Sequence, residues 1–318
     1  MHEYMEELLQ GLIVLVRVLL SIVVASVKAI LPRGILPRKN VRGEICLITG
    51  AGSGIGRLMA LEFAKLGCTM VLWDVNTAGN EETKAMVEKT GATIVHHPTS
   101  KVHAYTVDLS KRKQINETAE RVKKEVGTVD ILINNAGVVT GKTLLESPDE
   151  MIERTMAVNA TACLYTTKNF LAPMIERNHG HIVTVASILG KLGAPGVVDY
   201  CASKYAAVGY HDSLAAELYK LKADGIKTTL VMPYLILTGM FDGTENKSRI
   251  ISNLEPQYVV DCVMEAVLTN KEELIMPKIL YGVALQHFLP TEARHIVAEY
   301  LGQYEAMDTF KGRTLANR

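Results

Sequence analysis

The stretch Thr49-Gly-Ala-Gly-Ser-Gly-Ile-Gly56 restricts what this chain can fold into more than any other. It stands directly after the strand-like run Glu44-Ile-Cys-Leu-Ile-Thr49 and opens a helix-like segment, Gly54 to Leu66. Gly50, Gly54 and Gly56 let the backbone turn tightly and approach a bound group, while the helix beginning near Ile55 directs its amides and dipole at that group. A pyrophosphate is the ligand that a strand, glycine loop and helix arranged in this order accommodate.

Strand-like and helix-like segments alternate along the rest of the chain. Strands are expected at Cys68 to Val75, Lys101 to Leu109, Val129 to Asn135, His181 to Ser187, Gly225 to Met232 and Glu273 to Met276, and helices at Lys111 to Val126, Pro148 to Glu176 and Val198 to Lys222. This alternation predicts an α/β fold, a Rossmann-type doubly wound parallel sheet of about seven strands. A chain of 318 residues, 48% hydrophobic, can bury one such domain and leave roughly 40 residues in front. Zero net charge implies no nucleic-acid partner. Five scattered cysteines, Cys46, Cys68, Cys163, Cys201 and Cys262, read as reduced core thiols, not a disulfide or zinc framework.

The first 42 residues are of a different kind. Leu8 to Leu31 is long enough to cross a bilayer as a helix, yet holds Arg17 and Lys28. On a helical wheel Gln10, Arg17, Ser21 and Lys28 form one narrow stripe, extended by Glu3 and Glu6. The segment therefore either spans, with the stripe against a partner helix, or lies in the interface with the stripe facing water. No small-residue cleavage site follows it, so a removed signal peptide is not expected. Arg33, Arg38, Lys39 and Arg42 follow the segment and Glu3, Glu6 and Glu7 precede it, which places the domain behind it on the cytosolic side. The expected division is a membrane anchor and linker over 1–42, a catalytic domain over 43–278 and an apolar C-terminal extension over 279–318. The part Ile279 to Pro290 could rest on the bilayer near the site.

Tyr200 and Lys204 share a helix face, and Ser187 ends the buried strand thirteen residues before the tyrosine. A phenol is too weak an acid to serve as a base at neutral pH, and a nearby ammonium is expected to lower its pKa. A serine hydroxyl beside it can hold a substrate oxygen without carrying charge. Such a set suits an alcohol/carbonyl redox step. Of the twelve tyrosines only Tyr200 has a lysine four residues on. Asp74 ends the second strand eighteen residues after Gly56, where its carboxylate would accept from adenosine ribose hydroxyls and repel a 2′-phosphate, favouring NAD over NADP. Arg57 is the opposing signal, expected to be solvated on the first turn of its helix.

The T-G-x-x-x-G-x-G form of the loop, followed in order by Asn134-Asn-Ala-Gly137, Asn159, Ser187 and Tyr200-x-x-x-Lys204, resembles the short-chain dehydrogenase/reductase superfamily. The resemblance implies that Gly50, Ser53, Gly54, Ile55, Gly56, Asp74, Asp108, Asn135, Ala136, Gly137, Tyr200, Lys204 and Thr238 bind the dinucleotide, with Asp108 near adenine and Thr238 at the nicotinamide carboxamide. From the residues alone Asp108 is equally a strand-end cap. Asn159, a poor helix former inside a long helix, is expected at a local kink. The resemblance gives it a water-mediated proton relay to Lys204. Pairing of two copies through the Val198 to Lys222 helix, a homodimer, is likewise implied only by resemblance.

Val71-Leu-Trp-Asp-Val-Asn76, Asn80-Glu-Glu-Thr83, Asn178 to Ser187, Asp224 to Val231 and Pro233-Tyr...Thr238-Gly-Met-Phe241, with the apolar N-terminus, look like the membrane-bound retinol dehydrogenases, above all the retinol dehydrogenase 10 type. That likeness implies a retinoid alcohol as substrate, the endoplasmic reticulum membrane as address and lipid droplets as a further one. A hydroxysteroid dehydrogenase is the neighbouring alternative, and a non-catalytic membrane scaffold the alternative of another class. Leu235, Ile236, Leu237, Met240 and Phe241 are expected to form an apolar lid, facing a wall from Ile188 to Pro195. His96, His97 and His103 read as solvated loop residues, since carboxylate or cysteine partners at metal-ligand spacing are missing around them, and no metal is expected.

Overall fold

A computed structural model of the chain describes residues 2–31, 34–94, 101–248 and 250–312. Arg33, His96 and His97 lie outside the described residues. Two compact units divide at residue 39.

The first unit is carried by one helix, α1 (His2–Ile30). Its stretch Tyr4–Val27 has a mean hydropathy of 2.5, long and apolar enough to cross a membrane.

In the second unit, residues 40–318, seven parallel strands run β1 (Ile45–Thr49), β2 (Thr69–Asp74), β3 (Val102–Thr106), β4 (Ile131–Asn134), β5 (Gly180–Val185), β6 (Ile226–Pro233) and β7 (Glu273–Met276). Their order across the sheet is β3-β2-β1-β4-β5-β6-β7, so direction of winding reverses between β1 and β4. In a doubly wound sheet that reversal opens a crevice at the carboxyl ends of the strands.

Alternating residues explain why both faces are covered. Cys46 and Ile48, Met70 and Leu72, and Ile131 and Ile133 pack on one side with α2 (Gly54–Lys65), α3 (Thr77–Ile94) and α8 (Pro256–Leu268). Leu47, Val71, Trp73 and Leu132 face α4 (Arg112–Glu125), α6 (Ala162–Arg177) and α7 (Val198–Lys220). Strands buried on both faces carry continuous apolar runs, which is why they are readable from sequence.

The end of the sheet remote from the crevice is clasped by Asp130. Its carboxylate accepts from Ile45 N at 2.8 Å and pairs with Arg177 at 2.7 Å, and its carbonyl accepts from His181 N at 2.8 Å.

The single helix expected from Pro148 to Glu176 is three pieces. After α5 (Asp149–Met156) comes a π-helical turn, Ala157–Thr161, and then α6. His103 lies in β3 and is half-buried, not a solvated loop residue, and burial lowers its pKa. Among the described residues the last regular elements are a 3-10 stretch, Lys278–Phe288, and α9 (Thr291–Tyr300).

Candidate active site

The cleft opens at the carboxyl ends of the strands. At one end the glycine loop is held rigidly by its neighbours. Gly50 N donates to Trp73 O at 2.7 Å and Gly52 N to the Asp74 carboxylate at 2.8 Å. Thr49 Oγ1 accepts from the amides of Asn135 and Ala136 at 3.0 and 3.1 Å, while Asn135 Nδ2 donates to Thr49 O at 2.9 Å. Gly56 has no room for a side chain, since a Cβ there would stand 2.1 Å from Gly50 O. Ser53 precedes α2 without capping it through its side chain, and the first turn of α2 holds no acidic residue. Its amides therefore face the cleft uncompensated, the condition for receiving a pyrophosphate.

Gly50, Ser53, Gly54, Ile55, Gly56, Asp74, Asp108, Asn135, Ala136, Gly137, Ser187, Tyr200, Lys204 and Thr238 all line this one cleft. Asn159 lies just behind the lining. Asp108 sits past the end of β3, and its carboxylate accepts from Ser110 N and Oγ at 2.9 and 2.7 Å, so it shapes a turn as well as bordering the cleft. Arg57 is not solvated as expected. Its guanidinium bonds Glu82 and Gly52 O at 2.6 Å each, Thr83 Oγ1 at 3.0 Å and Gly79 O at 3.2 Å, because the α2–α3 packing brings those acceptors to it.

At the other end Ser187, Tyr200 and Lys204 are all buried, at 8, 4 and 3% exposure. β5 delivers Ser187 to the start of a 3-10 turn, where its Oγ accepts from Leu189 N at 3.1 Å. The first turns of α7 carry Tyr200 and Lys204, and Lys204 Nζ donates to Val185 O at 3.0 Å while lying 5.5 Å from the Tyr200 ring centroid. Asn159 fills the space between α7 and the loop after β4: Oδ1 accepts from Val138 N at 2.8 Å, and Nδ2 donates to Val138 O at 2.8 Å and Ser203 Oγ at 3.0 Å. The π turn widens the helix at this point and lets the amide reach across.

The electrostatics differ from the expectation. The ammonium does not hold the Tyr200 phenol below its usual pKa. Burial raises it, and the Ser187 hydroxyl beside it offsets only part of that. Lys204 is desolvated in the same pocket, which brings its own pKa down to about 8.

Leu235, Ile236, Met240 and Phe241 line the cleft with Ile188, Leu189 and Ala194, but Leu237 points out, 53% exposed. This lid is tethered, since Leu254 N donates to Leu235 O at 2.7 Å and Leu237 N to Leu254 O at 3.0 Å. Sequence reasoning missed Arg154, Tyr234, Gln303, Ala306 and Met307, which also line the cleft. Tyr234 adjoins the expected lid, whereas Gln303, Ala306 and Met307 carry no local signal, because residues far away along the chain bring them to the cleft.

Residues 44–249 match the family model described as short chain dehydrogenase. Among curated proteins the chain is 50% identical over 294 residues to the human epidermal retinol dehydrogenase 2, covering 92% of each chain. It is 49% identical over 293 residues to the human retinol dehydrogenase 10, covering 86% of each. Among solved structures, a short chain dehydrogenase/reductase from Burkholderia phymatum in complex with NAD superposes with a TM-score of 0.69 at 26% identity, over 81% of this chain and 96% of that one. A metagenomic short-chain oxidoreductase in complex with NADP gives 0.61 at 26% identity, over 74% and 97%. Sheet order, glycine loop and family match agree, and the chain belongs to the short-chain dehydrogenase family, oxidoreductases that work with a nicotinamide cofactor.

Proposed function

We propose that the protein oxidises a lipophilic primary alcohol, all-trans-retinol foremost, to its aldehyde, with NAD as acceptor, at a membrane surface. The observation that carries this reading is one cleft holding a dinucleotide cradle at one end and Ser187, Tyr200 and Lys204 under an apolar wall at the other. When bound, the nicotinamide supplies the hydride acceptor for the carbinol carbon. Ser187 Oγ donates to the alcohol oxygen, and Tyr200, as the phenolate left when its own proton passes to solvent past Lys204, takes the alcohol's proton. Lys204 and Asn159 hold Tyr200, the ribose side of the site and the path by which that proton leaves. Gly50, Ser53, Gly54, Ile55 and Gly56 cradle the pyrophosphate, Asp74 the adenosine ribose and Thr238 the carboxamide. Leu189, Leu235 and Phe241 exclude water from the reacting oxygen, which favours an apolar substrate.

NAD is favoured over NADP by the Asp74 carboxylate and by Arg57, whose guanidinium is already engaged by Glu82 and two carbonyls. Names of the relatives support a retinol. Membrane attachment rests on α1, and the endoplasmic reticulum, with the catalytic domain on the cytosolic side and lipid droplets as a further address, completes the reading. Pairing through α7, where Tyr205 and Tyr219 are exposed, belongs to the same proposal.

The test is NADH formation by microsomes containing the chain, supplied with retinol, estradiol or a long-chain alcohol. Retinol should be turned over fastest. Tyr200→Phe should lower kcat by roughly 10²–10⁴-fold while NAD still binds, because only the transferable proton is removed. Silence with all three alcohols would favour a scaffold role.

A further inference from the structure

Beyond α9 the chain doubles back along the substrate end of the cleft. Gln303 Nε2 donates to Gly193 O at 2.8 Å, and Met307 packs against the cluster formed by Val197, Tyr200 and Cys201. Phe310 meets Phe241 at 6.4 Å between centroids, and Phe241 stands edge-on to Tyr200 at 5.5 Å. The amides of Lys311 and Gly312 then donate to Asp242 O at 2.8 and 3.0 Å.

Three separate loops leave out a side chain where this segment crosses them. A Cβ on Gly141 would stand 2.0 Å from Phe310 Cε1, one on Gly196 3.0 Å from Met307 Cβ, and one on Gly243 2.4 Å from Thr309 O. All three glycines hold a positive φ, between +68° and +82°. A tail lying on the surface by chance would not find a fitted groove built from the loops after β4, before α7 and after β6. This groove continues into the cleft through Met307.

We propose that Gln303–Gly312 is a strap that selects the alcohol: Met307 sets the width of the cleft beside Tyr200, and Phe310 positions Phe241. The inference rests on the alcohol-oxidising reading above and names the wall that decides which lipophilic alcohols it takes. A slender polyene or alkyl alcohol fits beside Met307, whereas a broad fused-ring alcohol is held off by it. Met307 and Phe310 act on substrate fit and on Phe241, not on the proton transfer.

The experiment compares decanol with estradiol on the full-length membrane-bound chain. Met307→Ala should shift the ratio of kcat/KM toward estradiol by at least about tenfold, the scale of discrimination that a few methylenes give in an apolar pocket. Met307→Leu, a milder change, should shift it in the same direction by a smaller factor. Affinity for NADH should stay within about twofold of wild type. Tryptic cleavage after Lys311 should run at least about tenfold faster in Gly141→Ala and in Phe310→Ala, since either releases the strap. Equilibrium dialysis of both alcohols against the NADH-loaded chain reads the same width as a ratio of Kd values without turnover. Inactivity toward every alcohol would then sink the proposed reaction yet leave the strap testable. An unchanged alcohol ratio in both Met307 variants, by kinetics and by dialysis, overturns the proposal.

Discussion

Asn159 offers a sharp separation between holding the site and moving a proton. Replacing it by leucine keeps the volume and removes three hydrogen bonds of 2.8, 2.8 and 3.0 Å. Val138 N–H and C=O and the Ser203 hydroxyl are then left facing an apolar group at a site 1% exposed. Each buried polar group that loses its partner costs about 1–3 kcal/mol, and Ser203 keeps its bond to Tyr200 O at 2.7 Å, so two groups are stranded. The expected destabilisation is about 3 kcal/mol, a fall in Tm of roughly 6–12 °C for a domain of this size. Asn159→Asp retains an acceptor for Val138 N but loses both donations and sets a buried carboxylate against Val138 O, so its loss of stability should be at least as large. Scanning calorimetry of the detergent-solubilised chain, beside kcat measured well below either Tm, distinguishes the roles. Asn159→Leu with normal Tm but low kcat would refute the positional argument and leave the relay alone. Normal kcat at a lowered Tm would refute the relay.

Asp74→Asn should raise kcat/KM for NADP relative to NAD by roughly tenfold, about 1.4 kcal/mol of relieved charge repulsion, and keep an acceptor for the Gly52 amide; a wild type that already prefers NADP would refute this. His211 is buried with Nδ1 bonded to Thr184 Oγ1 at 2.9 Å, and desolvation lowers its pKa from 6.5 to about 4. Being neutral when folded, it contributes stability fully present above pH 6.5 and lost as pH falls toward 4, about 3 kcal/mol in all; His211→Gln should flatten that slope in urea titrations, and an unchanged slope would contradict it. If, as proposed, a retinoid reaches the site from the bilayer, deleting residues 1–39 should release the protein from membranes and lower activity toward retinol more than toward a short soluble alcohol. If the truncated protein stays bound, the Ile279 to Pro290 stretch is a second anchor; if it is released and oxidises retinol as before, delivery through the membrane fails.

The central strands were legible because each is a short, largely apolar run closed by turn residues, and burial on both faces leaves little else such a run can become. That Gly50, Gly54, Gly56 and Asp74 line one cleft was equally legible, since they are close in sequence to the strands that carry them. Two kinds of feature escaped. The pKa of Tyr200 depends on how much water surrounds it, which spacing to Lys204 does not encode. Met307 sits in Glu305-Ala-Met-Asp308, with no periodicity, and its neighbours, Gly196 and the cluster of Val197, Tyr200 and Cys201, lie far away along the chain. Helices α3 and α8 were not marked out in advance. In α3 the buried face is thin, since Asn80 and Thr83 share it with Val87, and α8 begins at Pro256, a residue that marks turns as readily as first helical positions.

The Asp130 clasp ties Ile45, Arg177 and His181 together at the amino ends of the central strands, where no residue of the cleft lies. Fastening there lets the loops after β4, β5 and β6, at the other end, change with little penalty to folding. Removing the Asp130 carboxylate would strand the Ile45 amide and the Arg177 guanidinium, whatever alcohol those loops admit.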